Sequence, residues 1–208
     1  MKRVYDFIAE DLWKIKCPYK MTPEFIVVHN TANDASAERE VSFMKKNPSQ
    51  TSYHFAVDDI EVRQAVSTDR NAWHAGDGAN GKGNRKGIAI EICYSLSGGE
   101  KFETAESNAA KLVAELLKEH SWSIENVKKH QDFSGKYCPH RTLDLGWERF
   151  IKKVEGYMIE ELEEVDDIVW ELSERGIIKN KKLWLLKLEE DEDAYWLARK
   201  AANYIREM

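Results

Sequence analysis

Short apolar runs alternate with helix-like stretches over residues 1–158, and this alternation constrains the fold more than any other feature. Three β-branched or alternating runs bounded by turn residues are typical of strands in a largely buried sheet: Phe25–His29, Ser52–Val57 and Gly87–Tyr94. Ala35–Lys46 and Thr104–His120 carry apolar residues at helical spacing. Strands that alternate with helices predict an α/β domain.

Three further segments complete this predicted domain. Ile60–Ala65 follows two aspartates, so we expect it to form a hairpin with the preceding strand. Gly76–Gly87 contains five glycines together with Asn and Lys, and this composition predicts an exposed loop. A helix around Trp147–Tyr157 is expected to close the domain.

The end of the chain has a different pattern. A heptad-like seam of alternating four- and three-residue steps runs through Met158, Leu162, Val165, Val169 and Leu172. Gly176 can stop this helix, Asn180 can cap a second one that carries Trp184, and Asp191 can begin a third. Such amphipathic helices must bury their apolar sides against one another or another chain. We therefore predict a small all-α domain at 159–208, following a first domain at 1–158.

Charge and cysteine content limit the classes of function. The formal net charge is −6, and residues 159–208 carry 14 acidic and 8 basic side chains. No basic stripe indicates nucleic-acid binding, and no stretch approaches membrane-spanning length, so we expect neither a nucleic-acid partner nor membrane insertion. Three widely spaced cysteines favour a reduced cytosolic protein over a disulfide framework. The charged N-terminus lacks the hydrophobic centre of a secretion signal, so we expect synthesis in the cytoplasm.

Residues that suit a metal ion occur at two places in the sequence. His29 ends the first apolar run, and a much later segment holds His130 and Cys138, with Lys136 between them. Two imidazoles and one thiolate are a good ligand set for Zn²⁺, and three protein ligands leave one coordination position open. The sequence therefore favours a catalytic zinc site over a structural one.

Five motifs, in this order along roughly residues 20–158, resemble those of the type 2 N-acetylmuramoyl-L-alanine amidases, which are related to phage endolysins and peptidoglycan recognition proteins. They are Val27-Val28-His29-Asn30-Thr31, Ser52-Tyr53-His54-Phe55, Ala72-Trp73-His74-Ala75-Gly76, Ile88-Ala89-Ile90-Glu91 and His130 through Pro139. The resemblance implies a mixed central β-sheet flanked by helices. It also implies one Zn²⁺ per chain, held by His29, His130 and Cys138.

The resemblance also implies three catalytic residues. Glu91 matches the family's catalytic glutamate and would act as general base; burying an unpaired carboxylate is costly, which favours a cleft position over an exposed strand edge. Lys136 matches a residue that stabilises the oxyanion, although an exposed loop lysine is the alternative. Tyr53 matches a cleft tyrosine. Alternation puts Tyr53 and His54 on opposite faces of their strand, and we expect Tyr53 to face the zinc.

Substrate binding is implied for Trp73, His74 and Asn30. An indole can stack on a sugar or peptide, and an imidazole can bond the muramyl group, but Trp73 fits equally well as core filler. Asn30 can orient His29 or the stem peptide, or simply close a turn. Cys17 and Cys93 are expected to be buried or incidental thiols rather than metal ligands.

The sequence is compatible with two functions. The first is a zinc amidase that degrades bacterial peptidoglycan, similar to lysins that stay in the cytoplasm until they are released to the cell wall. The second is a non-catalytic peptidoglycan receptor on the same scaffold; receptors of this kind usually lack the metal cysteine, so Cys138 favours the enzyme. The C-terminal helices are expected to serve either cell-wall targeting or self-association, as a homo-oligomer.

Overall fold

The computed structural model describes residues 2–191, 194, 197, 198 and 201, except for the side chains of 159–165 and 189–190. The strands are β1 (Lys2–Tyr5), β2 (Phe25–Asn30), β3 (Phe55–Val57), β4 (Glu61–Gln64), β5 (Gly87–Ile92) and β6 (Val127–Lys129). The helices are α1 (Trp13–Lys16), α2 (Ala37–Lys46), α3 (Lys82–Lys86), α4 (Gly99–Glu119), α5 (Gln131–Ser134), α6 (His140–Asp144), α7 (Trp147–Glu174) and α8 (Lys181–Glu190). Short 3-10 turns lie at Glu10–Leu12 and Ile124–Asn126.

The strands form one mixed sheet in the order β1-β4-β3-β5-β2-β6. Only the β3–β4 hairpin is antiparallel among the strand pairs of the described residues. The two central strands, β2 and β5, are apolar for most of their length and buried on both faces, as parallel strands covered by helices usually are. The predicted fold class, a mixed sheet flanked by helices with further helices at the C-terminal end, is confirmed.

Helices cover the sheet on both faces. Along β5, Ala89 lies on the face that packs against Ala37, Val41 and Met44 of α2, whereas Ile90 lies on the opposite face because strand side chains alternate. Helix α4 is held to the start of α7 by the fully buried carboxylate of Glu106. That carboxylate accepts two hydrogen bonds from Arg149 and one from Lys153.

The predicted loop at Gly76–Gly87 is wrong in part. Residues 82–86 form the short helix α3, and both Gly83 and Asn84 are buried. Gly83 approaches its neighbours so closely that a Cβ there would lie 2.4 Å from the Cβ of Ala75. Glycine therefore permits tight packing at this point. A glycine-rich composition is compatible with such packing as well as with an exposed loop.

Several element bounds differ from the sequence predictions. Strands β1 and β6 were not expected, because each is short and half of their residues or more are charged. Helix α4 begins at Gly99 rather than Thr104, after Gly98 in a positive-φ conformation. The helix expected around Trp147–Tyr157 continues without a break to Glu174, because no proline or capping residue interrupts it.

The chain divides into two compact units, of which one ends at Glu155 and the other begins at Gly156, inside α7. In the second unit Val169 and Leu172 of the predicted seam lie in an apolar cluster with Leu188, and Trp184 packs against it. Asn180 caps α8 as predicted, by accepting a hydrogen bond from the Leu183 amide. The side chains of Leu162 and Val165 lie outside the described residues.

None of the helices in the described part of the chain combines the length and apolar character needed to cross a lipid bilayer.

His54 connects the sheet to the loop before Asn71. Its Nδ1 accepts a hydrogen bond from the Ala89 amide at 2.9 Å, so its Nε2 carries the proton and donates to the Arg70 carbonyl at 2.9 Å. Burial lowers the pKa of His54 to about 4. The neutral imidazole is therefore the form that the fold requires.

Acid should weaken the fold through His54. Its folded-state pKa of about 4 lies below the ordinary value of 6.5, so its contribution to stability is fully present above pH 6.5 and is lost as the pH falls through 4. Urea denaturation should show the parent losing more stability on acidification than His54→Asn, which keeps an acceptor for Ala89 but cannot be protonated. An identical pH dependence in both proteins would contradict this assignment.

Candidate metal centre

Three predicted ligands converge, although they come from distant parts of the sequence. His29 lies near the end of β2, His130 follows β6 directly, and Cys138 lies in the connection between α5 and α6. All three are buried, and one ligand atom from each lies within 4.8 Å of the others. Nδ1 of His29 lies 3.0 Å from Nδ1 of His130 and 3.9 Å from the Cys138 sulfur. One cation can contact all three.

Asn30 explains how Cys138 is brought to His29. Being next in β2, Asn30 lies on the opposite face of the sheet from His29. Its Oδ1 accepts hydrogen bonds from the backbone amides of Arg141 and Thr142 in the first turn of α6, at 2.9 and 3.1 Å. Satisfying these free N–H groups fixes the start of α6 to the strand end. The buried Asn30 side chain thus connects two polypeptide segments of the site.

The donor set fits Zn²⁺ chemically. Burial, together with the charges of the neighbouring histidines and Lys136, holds the pKa of His29 well below its usual range, and burial also lowers that of His130. Both imidazoles therefore keep a free lone pair at neutral pH. Burial and the charge of Glu91 raise the pKa of the Cys138 thiol to about 11, so metal binding there must displace a proton.

Glu91 stands opposite His29 in the parallel β2–β5 register, and partners in register project to the same face. Its Oε2 is buried and has no hydrogen-bond partner among the described residues. Burial raises the pKa of Glu91 to about 8; the carboxylate of Glu40 adds to the rise, and the ammonium group of Lys136 opposes it. An unpartnered carboxyl with a pKa near neutrality can exchange a proton with a substrate or a water molecule at neutral pH.

Lys136 and Tyr53 are electrostatically coupled to the same group of residues. Lys136 is exposed, but its charge lowers the pKa values of His29, His130, Cys138 and Glu91, so its ammonium group is electrostatically coupled to the site. Tyr53 is 5% exposed, and its hydroxyl is buried without a hydrogen-bond partner among the described residues. Burial, with Glu40 and Glu91 adding to it, raises the pKa of Tyr53, so the hydroxyl stays protonated.

The three residues predicted to bind substrate differ in their burial and in their contacts. Trp73 is half-buried, its indole N–H donates to the Ile15 carbonyl at 2.9 Å, and its ring meets Tyr19 edge-on. His74 is only 9% exposed and lies against the ring of His29. The side-chain oxygen of Asn30 accepts hydrogen bonds from two backbone amides of α6. Cys17 and Cys93 are fully buried in an apolar cluster, and neither belongs to the group of three possible metal ligands.

Sequence reasoning missed Glu40, whose carboxylate acts on Glu91 and Tyr53 and accepts a hydrogen bond from Asn33 at 2.5 Å. Helical spacing could have indicated Glu40, because it lies three residues after Ala37 and therefore on the face of α2 that meets the sheet. The role of Asn84, which accepts hydrogen bonds from the backbone of His74 and Ala75, had no comparable signal.

Comparison with known proteins agrees with this geometry. Residues 19–141 match the family model described as N-acetylmuramoyl-L-alanine amidase. CwlA, an N-acetylmuramoyl-L-alanine amidase of Bacillus subtilis (strain 168), is 57% identical over 146 residues, which cover 70% of this chain and 54% of CwlA. XlyB of the same strain is 56% identical over 151 residues, covering 72% of this chain and 48% of XlyB. The chain thus spans about half the length of these relatives.

Solved structures agree as well. PlyL is 49% identical with a TM-score of 0.72, and the match covers 74% of this chain and 97% of PlyL. The catalytic domain of XlyA is 43% identical with a TM-score of 0.67, covering 74% of this chain and 99% of that domain. With the family model matching more than half of its residues, this chain belongs to the N-acetylmuramoyl-L-alanine amidase family.

Proposed function

We propose that this chain is a zinc-dependent amidase that hydrolyses the bond between N-acetylmuramic acid and L-alanine in bacterial peptidoglycan. The observation that carries the proposal is the convergence of His29, His130 and Cys138 within 4.8 Å, with Glu91 in register beside His29. The names of CwlA and XlyB describe the same activity in relatives. A phage or prophage endolysin, made in the cytoplasm and released to the wall, is the setting that best fits this activity.

His29, His130 and Cys138 would hold one Zn²⁺ per chain. Bound there, Zn²⁺ would supply the Lewis acidity that activates a water molecule and polarises the scissile carbonyl. Burial of the three ligands keeps the site in a low-dielectric environment, in which charge interactions are stronger than in water.

Glu91 would move the proton. Its buried Oε2 is not engaged elsewhere among the described residues, so it is free to accept a proton from the attacking water and to return it to the departing amine. A cation at the neighbouring ligands would lower the pKa of Glu91 from about 8, which favours the carboxylate form that a base needs.

Lys136 and Tyr53 would stabilise the negative charge that develops on the scissile oxygen. Lys136 brings a cation whose charge already acts on the site, and Tyr53 brings a protonated hydroxyl with no hydrogen-bond partner among the described residues. One well-aimed donor of this kind is worth about 2.7–4 kcal/mol of barrier lowering. The half-buried Trp73 would lie along the substrate cleft.

The metal requirement can be tested with two matched cysteine variants. Cys138→Ala removes a proposed ligand, whereas Cys93→Ala removes a buried thiol outside the ligand set. We expect the parent and Cys93→Ala to contain one zinc per chain and to release peptides that begin with L-alanine from purified peptidoglycan. Cys138→Ala should lose both properties, as measured by elemental and product mass spectrometry. Undiminished hydrolysis by metal-free Cys138→Ala would rule out the proposal.

The proposed role of Glu91 can be tested apart from metal binding, because Glu91 is proposed to transfer a proton and not to bind the zinc ion. Glu91→Gln keeps the shape of the side chain but cannot accept the proton, so kcat should fall about 10²–10⁴-fold while zinc content is unchanged. Glu103→Gln, at an exposed glutamate on α4, is the control and should retain parental kcat. If Glu91→Gln kept parental turnover with zinc bound, another residue would have to be the base.

We further propose that the C-terminal helical domain at 159–208 serves wall attachment or self-association. Its apolar cluster includes Val169 and Leu172, with Trp184 packed against it, whereas Trp170 is 60% exposed; Trp196 lies outside the described residues. Matches to PlyL and the XlyA catalytic domain involve about three quarters of this chain, which supports independent folding of the amidase part.

Removing residues 159–208 should leave a folded, zinc-binding amidase, because the proposed site lies wholly before that point. We expect pull-down with purified walls to weaken, or sedimentation to show a lower oligomeric mass relative to the full chain. If neither wall attachment nor oligomeric mass changed, both proposed roles of the domain would be wrong.

A further inference from the structure

The two proposed zinc histidines each have a second ring nitrogen that faces the same short segment, residues 74–76. Nε2 of His29 lies 3.0 Å from Nδ1 of His74. Nε2 of His130 lies beside Gly76, where an added Cβ would meet it at 3.5 Å. This three-residue segment therefore backs both imidazoles.

Hydrogen-bond chemistry then restricts the tautomers. A neutral imidazole has one protonated nitrogen, which donates, and one bare nitrogen, which accepts or binds a metal. If Nδ1 of His29 faces the metal, its proton must be on Nε2, where the only acceptor within hydrogen-bond distance among the described residues is Nδ1 of His74.

The backbone of His74 is fixed from behind. Oδ1 of Asn84 accepts hydrogen bonds from the amides of both His74 and Ala75, at 2.8 Å each. Asn84 itself is held by Asp77, whose carboxylate accepts from the Asn84 amide at 3.3 Å and from the Gly83 amide at 2.7 Å. The backbone that carries His74 is therefore fixed, and its buried ring can hold the ring of His29 in one orientation.

We propose that His74 is a positioning residue whose Nδ1 accepts the hydrogen bond from His29 Nε2–H and so fixes the tautomer and orientation that present His29 Nδ1 to the zinc ion. This assignment rests on the proposed zinc site and replaces the substrate-binding role expected from the sequence. The ring is 9% exposed, which leaves little surface for a substrate. Partners of this kind to metal-binding histidines are a general requirement of metal sites.

Two substitutions at His74 separate positioning from substrate binding. His74→Leu removes the acceptor, whereas His74→Asn places an amide oxygen about where Nδ1 lies. In competition with a chromophoric chelator, we expect His74→Leu to weaken zinc binding about 10–100-fold and His74→Asn to restore most of that loss. Unchanged zinc affinity in His74→Leu together with a raised KM for peptidoglycan fragments would overturn the proposal.

A second measurement needs no variant. In the zinc-loaded parent, imidazole ¹⁵N chemical shifts should show His29 protonated at Nε2 and bound to zinc through Nδ1, with His74 bare at Nδ1. A proton on Nδ1 of His74 would overturn the assignment even if His74→Leu failed to fold. Failure of the parent to bind zinc would instead refute the proposed function.

Discussion

The parallel pairing of β2 with β5 is the constraint on which the site depends. It sets His29 opposite Glu91 and directs both side chains to the face covered by α2. Because nearly all residues of both strands are buried, a register shift of one residue would move apolar side chains as well as the two polar ones to the wrong face. The hydrophobic core therefore fixes the relative position of a proposed ligand and a proposed base.

The remaining ligands reach His29 through polar contacts around the end of β2. Asn30, the next residue in that strand, holds the start of α6 and thereby the segment that carries Cys138. His130 is placed by β6, which pairs with β2, and its amide donates to the Val28 carbonyl at 3.3 Å. The site is thus assembled by one strand and its direct neighbours.

This arrangement leaves buried polar groups without partners among the described residues, which is costly in a folded protein. Glu91 Oε2 and the Tyr53 hydroxyl are both in this position, and the carboxylates of Glu40 and Glu91 raise the pKa of Tyr53 further. Such local conflicts are expected where a fold keeps reactive groups available for a substrate. A cation bound beside Glu91 and the Cys138 thiol would relieve part of this cost, because it favours the charged form of both groups.

The sequence predicted the parts of the site that depend on strand periodicity and on motif spacing. His29 and Glu91 follow apolar runs whose pattern indicates strands, and His130 and Cys138 lie within nine residues of each other. The contact between the rings of His29 and His74 was not predictable, because a loop brings His74 there and loop paths leave no periodic signal. Asn30 was ambiguous for a related reason: its partners in α6 are more than a hundred residues away.

X-ray absorption at the zinc edge of the zinc-loaded protein identifies the ligands of the ion. We expect two nitrogen ligands at about 2.0–2.1 Å, from His29 and His130, and one sulfur ligand at about 2.3 Å, from Cys138. The sulfur contribution should remain in Cys93→Ala. A zinc ion with no sulfur ligand in the parent protein would contradict the proposed ligand set.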